Sequence, residues 1–188
     1  MWGVAHCVEN WTATRPGLHK LGRHAFPILS RVFFGIFTKF DSMEHIFYEG
    51  QVIWAQIDAN RHLRHSAYAD VCAQARANML AQAGLPLAKI AESGIGPVLF
   101  REELIYLREI MADQHIRVAV EMTRYNPHNS RFSFRHTIFR EDGTKCAVVN
   151  VDGAWIDIKK RKLTRLPEAW DNVIDALPKS DDFEHSDK

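Results

Sequence analysis

Several patterns that would assign a protein class at once are missing from this chain of 188 residues. Its three cysteines, Cys7, Cys72 and Cys146, are odd in number and widely spaced, with no Cys-x-x-Cys pair. Neither a disulfide framework nor a cysteine-based zinc site is therefore indicated, and a reducing cytoplasm is the expected location. Lys and Arg number 24 against 23 Asp and Glu, so no global field directs the protein toward nucleic acid.

Long apolar runs are missing as well. No segment contains the roughly 18 to 20 consecutive apolar residues needed to span a bilayer, so no integral membrane span is expected. The chain also has no phosphate-binding glycine loop, nucleophile elbow or paired metal-ligand motif. We therefore expect neither a metal nor a cofactor.

The first 43 residues differ in composition from the rest. Every charged residue between Arg15 and Lys39 is basic, and the segment from Phe26 to Phe40 is rich in aromatic residues. Two interpretations stay open for this extension. It forms an amphipathic surface helix, or it is poorly ordered and the true start is Met43.

The chain from residue 44 to residue 178 predicts a single α+β domain, and an acidic tail, 179–188, is expected to fray. Aromatic and β-branched residues from Phe47 to Ile57 are typical of a strand. From Ser66, which we predict as the N-cap, apolar residues recur at helical spacing as far as Ala83.

After a Gly-Ile-Gly-Pro breaker at 94–97, almost all of the chain has the pattern of strands. Four segments predict a meander: Val98 to Tyr106, Ile116 to Thr123, Phe132 to Ile138 and Lys145 to Ile158. A short helix is expected from Leu166 to about Leu177. Because a run of strands follows one long helix, we expect an antiparallel sheet packed against that helix.

The densest group of polar side chains lies where the first predicted strand gives way to the long helix. Within eleven residues the chain contains Asp58, Asn60, His62, His65, Ser66 and Tyr68. The free N–H groups at a helix N-terminus can hold developing negative charge. This combination suits acyl transfer, in which a carboxylate attacks a carbonyl carbon or activates water while N–H groups polarise the oxygen.

The run from Trp54 to Tyr68, with Asp58-Ala-Asn60-Arg-His62 at its centre, resembles the 4-hydroxybenzoyl-CoA thioesterase branch of the hotdog-fold acyl-CoA thioesterases. The resemblance implies a hotdog fold, with an antiparallel sheet of five to six strands wrapped around one long central helix. It also implies an acyl-CoA substrate, and homodimers or homotetramers whose active sites lie at subunit interfaces.

The same resemblance implies roles for the clustered residues. Asp58 is expected to be the catalytic carboxylate, as base or nucleophile, and the peptide N–H of His65 the oxyanion donor. His62 is assigned to the catalytic group, where it would orient Asp58 or its loop. The expected substrate contacts are Asn60, Ser66 and Tyr68.

Two further features concern the substrate. Many relatives have two asparagines where this chain has Arg64 and His65, a change that affects substrate contacts more than a backbone donor. Cations for the CoA phosphates are expected among basic residues after the long helix, with candidates Arg131, Arg135, Arg140 and the run 159–162. Neither feature decides between an aryl and an aliphatic acyl group.

Two other functions stay open beside acyl-CoA hydrolysis. Hotdog-fold enoyl-CoA hydratases have the pattern Asp-x-Asn-Pro-x-His, which is one residue longer between acid and imidazole. Here Asp58 and His62 are four apart, and Arg61 stands at the proline position. A non-catalytic acyl-CoA-binding protein would not need a carboxylate beside the carbonyl. We therefore predict a thioesterase.

Overall fold

The structure is a computed structural model that describes residues 45–185. Its helices and strands are β1 (Ile46–Gln51), α1 (His65–Gln82), α2 (Leu87–Glu92), β2 (Ile95–Tyr106), β3 (His115–Asn126), β4 (Arg131–Arg140), β5 (Lys145–Asp157), β6 (Lys162–Leu163), α3 (Asp171–Asp175) and β7 (Lys179–His185). Short 3-10 turns cover Trp54–Gln56 and Glu168–Trp170. The predicted N-terminal extension, 1–43, lies outside the described residues.

The strands of the described range form one sheet, whose main path runs β1-β3-β4-β5-β2. Neighbours on this path are antiparallel, and the short β6 pairs with β5. β7 pairs with the second half of β3 in the parallel direction, beyond the point where β1 ends. The sheet therefore has seven strands instead of the predicted five to six, because two short strands are added near the C-terminus.

The long helix α1 packs on the sheet, with most of its contacts to β1 and β3. Its buried side chains recur every three or four residues: Ala67, Tyr68, Val71, Cys72, Ala75, Met79 and Leu80. Buried residues of the central strands complete the core, among them Val118, Val120, Ile138 and Val149. The predicted antiparallel sheet packed against one long helix is thus confirmed. No helix in the described range has both the length and the apolar character needed to cross a membrane.

Two predicted strand boundaries are wrong for local reasons. The first strand ends at Gln51 because the next residues turn, with the N–H of Ile57 donating to the carbonyl of Trp54 at 3.1 Å. β2 begins at Ile95, inside the predicted breaker. Pro97 is tolerated there because β2 is an edge strand, where a missing N–H can face away from the neighbouring strand.

The predicted N-cap of α1, Ser66, is wrong by two residues, and the short helix α2 was not predicted. The helix begins at His65 with Arg64 as the N-cap. The hydroxyl of Ser66 instead accepts a hydrogen bond from Nη1 of Arg64 at 2.8 Å. Ser66 is therefore a first-turn residue of the helix and not its cap.

The C-terminal tail, which was expected to fray, instead forms β7 as far as His185. Arg135 of β4 donates two hydrogen bonds to Asp182, at 3.1 and 2.7 Å. Arg124 of β3 pairs with Glu184 at 3.0 Å. The Arg135 guanidinium holds the pKa of the Asp182 carboxyl well below its usual range. Acidic residues of the predicted tail thus form ion pairs with basic side chains of the sheet.

A buried polar pair joins α1 to the centre of the sheet. His136 of β4 is fully buried, and its Nδ1–H donates to the carbonyl of Val149 at 2.9 Å. Nε2 is then free to accept a hydrogen bond from Nη1 of Arg76, at 3.1 Å. Burial, together with the neighbouring Arg76 cation, lowers the pKa of His136 to about 3. His136 is therefore neutral at physiological pH.

We expect this histidine to make the fold sensitive to acid. The pKa of His136 is about 3 in the folded protein and near 6.5 in the unfolded chain. The unfolded chain therefore binds more protons between these values, and the free energy of unfolding falls as the pH drops below about 6.5. His136→Gln, which offers Arg76 an acceptor but does not titrate, should flatten this dependence. Urea unfolding at neutral and mildly acidic pH measures this pH dependence. If the free energy of unfolding falls equally with pH in the wild type and in His136→Gln, His136 is not its source.

Gly153 of β5 lies where a strand and an aromatic ring approach closely. A Cβ added there would clash with the carbonyl oxygen of Val98 and lie 2.6 Å from Cζ of Phe132. Because a backbone atom cannot rotate away, Gly153→Ala is expected to lower the free energy of unfolding by about 1–3 kcal/mol. Gly96→Ala is the matched control, since its Cβ would meet only the flexible end of Ile158, at 3.3 Å. Chemical denaturation measures the free energy of unfolding of both variants. An equal decrease in Gly153→Ala and Gly96→Ala would count against the steric explanation.

Candidate active site

A tight loop ahead of α1 presents Asp58. Its Oδ1 accepts the N–H of Asn60 at 2.8 Å and the N–H of His62 at 3.0 Å. The N–H of Asp58 donates to the carbonyl of His62 at 2.8 Å, and Arg61 adopts a left-handed conformation with φ of 66°. Oδ2 accepts no hydrogen bond from the described residues. One oxygen of Asp58 thus holds the loop while the other is available for chemistry.

The N-terminus of α1 follows this loop directly. Arg64 makes no side-chain capping hydrogen bond, and its own N–H donates to the carbonyl of Gln56 at 2.8 Å. Within the described structure, the N–H groups of His65 and Ser66 have no acceptor. Two backbone donors are therefore available at the positive end of the helix dipole.

The loop and the helix start form one side of an open cleft of about 420 Å³. Its lining consists of Asp58, His62, Leu63, His65, Tyr68, Tyr106, Leu107, Arg108 and Glu109. Four of the predicted site residues are thus brought together: Asp58, His62, His65 and Tyr68. Asn60 and Ser66 do not line the cleft, and their contact with substrate stays a prediction.

The inner part of the cleft is aromatic. Tyr68 is only 4% exposed and packs edge-to-face against Tyr106, with ring centroids 5.1 Å apart. Burial, assisted by the nearby Cys146 and Tyr106, raises the pKa of Tyr68 to about 12. Its hydroxyl therefore stays protonated at neutral pH, and the two rings offer a largely apolar surface with a polar tip.

The second side of the cleft was missed by the sequence prediction. Residues 106–109 are more than forty residues after the Asp58 loop in the sequence, but backbone pairing places them beside this loop. His62 and Met111 form an isolated antiparallel bridge, and the N–H of Leu63 donates to the carbonyl of Ile110 at 2.7 Å. The available signal was the change from apolar residues to Arg108-Glu109 at the end of a predicted strand.

The predicted cations for CoA phosphates do not gather at this cleft. Arg135 is engaged by Asp182, Arg140 lies 3.7 Å from the carboxylate of Asp142, and Arg131 lies over the ring of Phe100. Arg108 lines the cleft instead. Among the described residues, no group of His, Cys, Asp and Glu side chains is arranged to hold a metal ion.

Solved structures of other proteins share this fold. A hypothetical protein from Staphylococcus aureus, solved in complex with CoA, is 21% identical with a TM-score of 0.64, over 70% of this chain and 82% of its own. A 1,4-dihydroxy-2-naphthoyl-CoA thioesterase from Synechocystis is 22% identical with a TM-score of 0.62, over 69% and 95%. A DHNA-CoA thioesterase from Staphylococcus aureus is 20% identical with a TM-score of 0.65, over 70% and 88%. These similarities confirm the predicted hotdog fold.

The sequence itself identifies the family. No curated protein gives a significant sequence match. The family model described as the thioesterase-like superfamily matches residues 52–174, which is more than half of the chain and includes the Asp58 loop and α1. This match confirms the predicted reaction class, thioester hydrolysis. The chain belongs to the thioesterase-like superfamily.

Proposed function

We propose that this protein hydrolyses an acyl-CoA thioester to a free acid and CoA, with Asp58 as the catalytic carboxylate. The observation that carries the proposal is that Asp58 shares one cleft with His65, at the start of the helix. The first N–H groups of this helix find no acceptor among residues 45–185. The superfamily match supports the same reaction class. Asp58 also keeps one oxygen free of hydrogen bonds to the described residues.

In the proposed chemistry, the two groups act on the two atoms of the thioester carbonyl. The helix N-terminus acts on the oxygen, and Asp58 acts on the carbon. The N–H of His65, reinforced by the helix dipole, stabilises the negative charge that develops on the carbonyl oxygen. Asp58 either adds through Oδ2 to the carbonyl carbon or takes a proton from a water molecule that adds there. The C–S bond then breaks, and CoA leaves as a thiolate that takes up a proton. Where water has added, the free acid forms directly. Where Asp58 has added, water hydrolyses the resulting acyl-Asp58 anhydride, which releases the free acid and restores the carboxylate. His62, on the same loop, is proposed to assist this proton transfer.

The aromatic part of the cleft suits both aryl and aliphatic acyl groups. Tyr68 and Tyr106 supply an aromatic wall that can pack against an aryl ring or an alkyl chain. Arg108 is the cation in the cleft lining and is proposed to face the CoA portion. A panel of aliphatic and aromatic acyl-CoAs distinguishes the two substrate classes.

Asp58→Asn separates the chemical role of this carboxylate from its structural role. The amide oxygen can still accept the N–H groups of Asn60 and His62, so the loop should persist. An amide neither attacks the carbonyl nor removes a proton, so hydrolysis should fall by on the order of a hundredfold or more. Acyl-CoA binding and Tm should be unchanged.

Release of free thiol from the acyl-CoA panel measures this effect. Asp181→Asn, at an exposed position on β7, is the control and should match the wild type. Wild-type turnover by Asp58→Asn would rule out the proposed role of Asp58. Tight binding without any hydrolysis by the wild type would favour a non-catalytic acyl-CoA-binding protein.

We also propose a homodimer formed along β2. In the described sheet β2 is the last strand of the path and pairs with β5 on one side only. It exposes a series of large apolar side chains: Leu99, Phe100, Ile105 and Tyr106. An open strand edge that exposes apolar side chains, here on both sides of the charged residues 101–103, is a template for pairing with a second chain. Because Tyr106 lines the cleft, a second copy on this strand would help to enclose the substrate.

Ile105→Glu tests this interface. A buried unpaired carboxylate at the contact should convert the dimer to a monomer and lower hydrolysis, because the cleft would lose its cover. Leu87→Glu, which places the same charge on the exposed α2, should keep the wild-type mass and activity. Light scattering and the thiol-release assay give the two readouts. A fully active monomeric wild type would contradict the proposal.

A further inference from the structure

A carboxylate on the far side of the cleft faces the imidazole of the Asp58 loop. Oε2 of Glu109 lies 3.7 Å from Nε2 of His62, which is an ion-pair distance. Both side chains are partly open to solvent, with 65% of Glu109 and 38% of His62 exposed. Core packing therefore does not explain why these two groups meet.

Backbone contacts bring the pair together. The antiparallel bridge between His62 and Met111 aligns the two segments, and the hydrogen bond from Leu63 to Ile110 holds them at 2.7 Å. Ile110, which adjoins Glu109, is fully buried and anchors its segment in the core. Since both backbones are already held, pairing of Glu109 with His62 has to order only the side-chain torsions, which keeps its entropic cost small.

His62 is coupled in turn to Asp58. Its N–H donates to Oδ1 of Asp58 at 3.0 Å, and its carbonyl accepts the N–H of Asp58 at 2.8 Å. A displacement of His62 would therefore displace the carboxylate that faces the substrate. Glu109, His62 and Asp58 form a continuous series of contacts, and all three line the same cleft.

We propose that Glu109 is a positioning residue for thioester hydrolysis, which acts through His62 to fix the Asp58 loop and to orient the imidazole in the cleft. This inference rests on the proposed function. A carboxylate beside one ring nitrogen favours the hydrogen on that nitrogen and fixes the ring orientation. With the hydrogen on Nε2 beside Glu109, Nδ1 is the ring nitrogen left to accept a proton from the attacking water and then to pass it to the leaving thiolate.

The test compares Glu109→Gln, Glu109→Asp, His62→Gln and the double variant His62→Gln/Glu109→Gln in the thiol-release assay. Glu109→Gln keeps the side-chain size but removes the charge. It should lower kcat about three- to fivefold with KM and Tm unchanged, a size typical of an exposed ion pair. Glu109→Asp retains the charge and should recover part of the loss. Glu92→Gln, on the exposed surface of α2, is the matched control and should behave as the wild type.

The double variant decides whether Glu109 acts through His62. If it does, His62→Gln/Glu109→Gln should be no slower than His62→Gln alone, because the shared interaction is already lost. Losses that multiply, a change confined to KM, or wild-type kinetics in Glu109→Gln would each overturn the inference. If Asp58→Asn is inactive and Glu109→Gln is fully active, only the role of Glu109 is rejected. If Asp58→Asn is active, the proposed function itself is rejected.

Discussion

The burial of one face of α1 against the sheet is the constraint on which the remaining structure depends. Ala67, Cys72 and Ala75 are completely buried, so the helix can neither rotate nor slide without exposing apolar surface. The position of the helix fixes where its first N–H groups lie, and these are the groups proposed to hold the oxyanion. Packing of the helix far from the cleft would thus determine the geometry of the proposed oxyanion site.

Asp58 has a structural role in its loop and a separate, proposed role in catalysis. Oδ1 satisfies two backbone donors of the loop, which keeps the left-handed Arg61 in place. Oδ2 accepts no hydrogen bond from the described residues and is the oxygen proposed to react with the substrate. The loop that the carboxylate stabilises would then also orient it. A neutral isostere can still accept the two N–H groups but cannot act as a base or nucleophile, and this separation makes the proposed role of Asp58 accessible to experiment.

Local patterns in the sequence were enough to predict α1, the central strands and the group of Asp58, His62, His65 and Tyr68. These features depend on residue periodicity and on neighbours close along the chain. The second side of the cleft, Tyr106 to Glu109, was missed because only strand pairing in three dimensions brings it to the loop. β7 was missed for a related reason: an acidic segment resembles a solvated tail until its basic partners on the sheet are known.

The addition of β7 beside β3 bears on the homodimer proposed above. β7 lies outside the residues that match the superfamily, and it covers the part of β3 that β1 leaves open. That side of the sheet then ends in two short strands, and β7 carries several charges. β2 on the opposite side is twelve residues long and exposes large apolar side chains on both sides of its charged residues 101–103. In the homodimer proposed above, pairing along β2 would bring two identical strand edges together about a twofold axis. Association of this kind closes on itself and does not propagate into a filament.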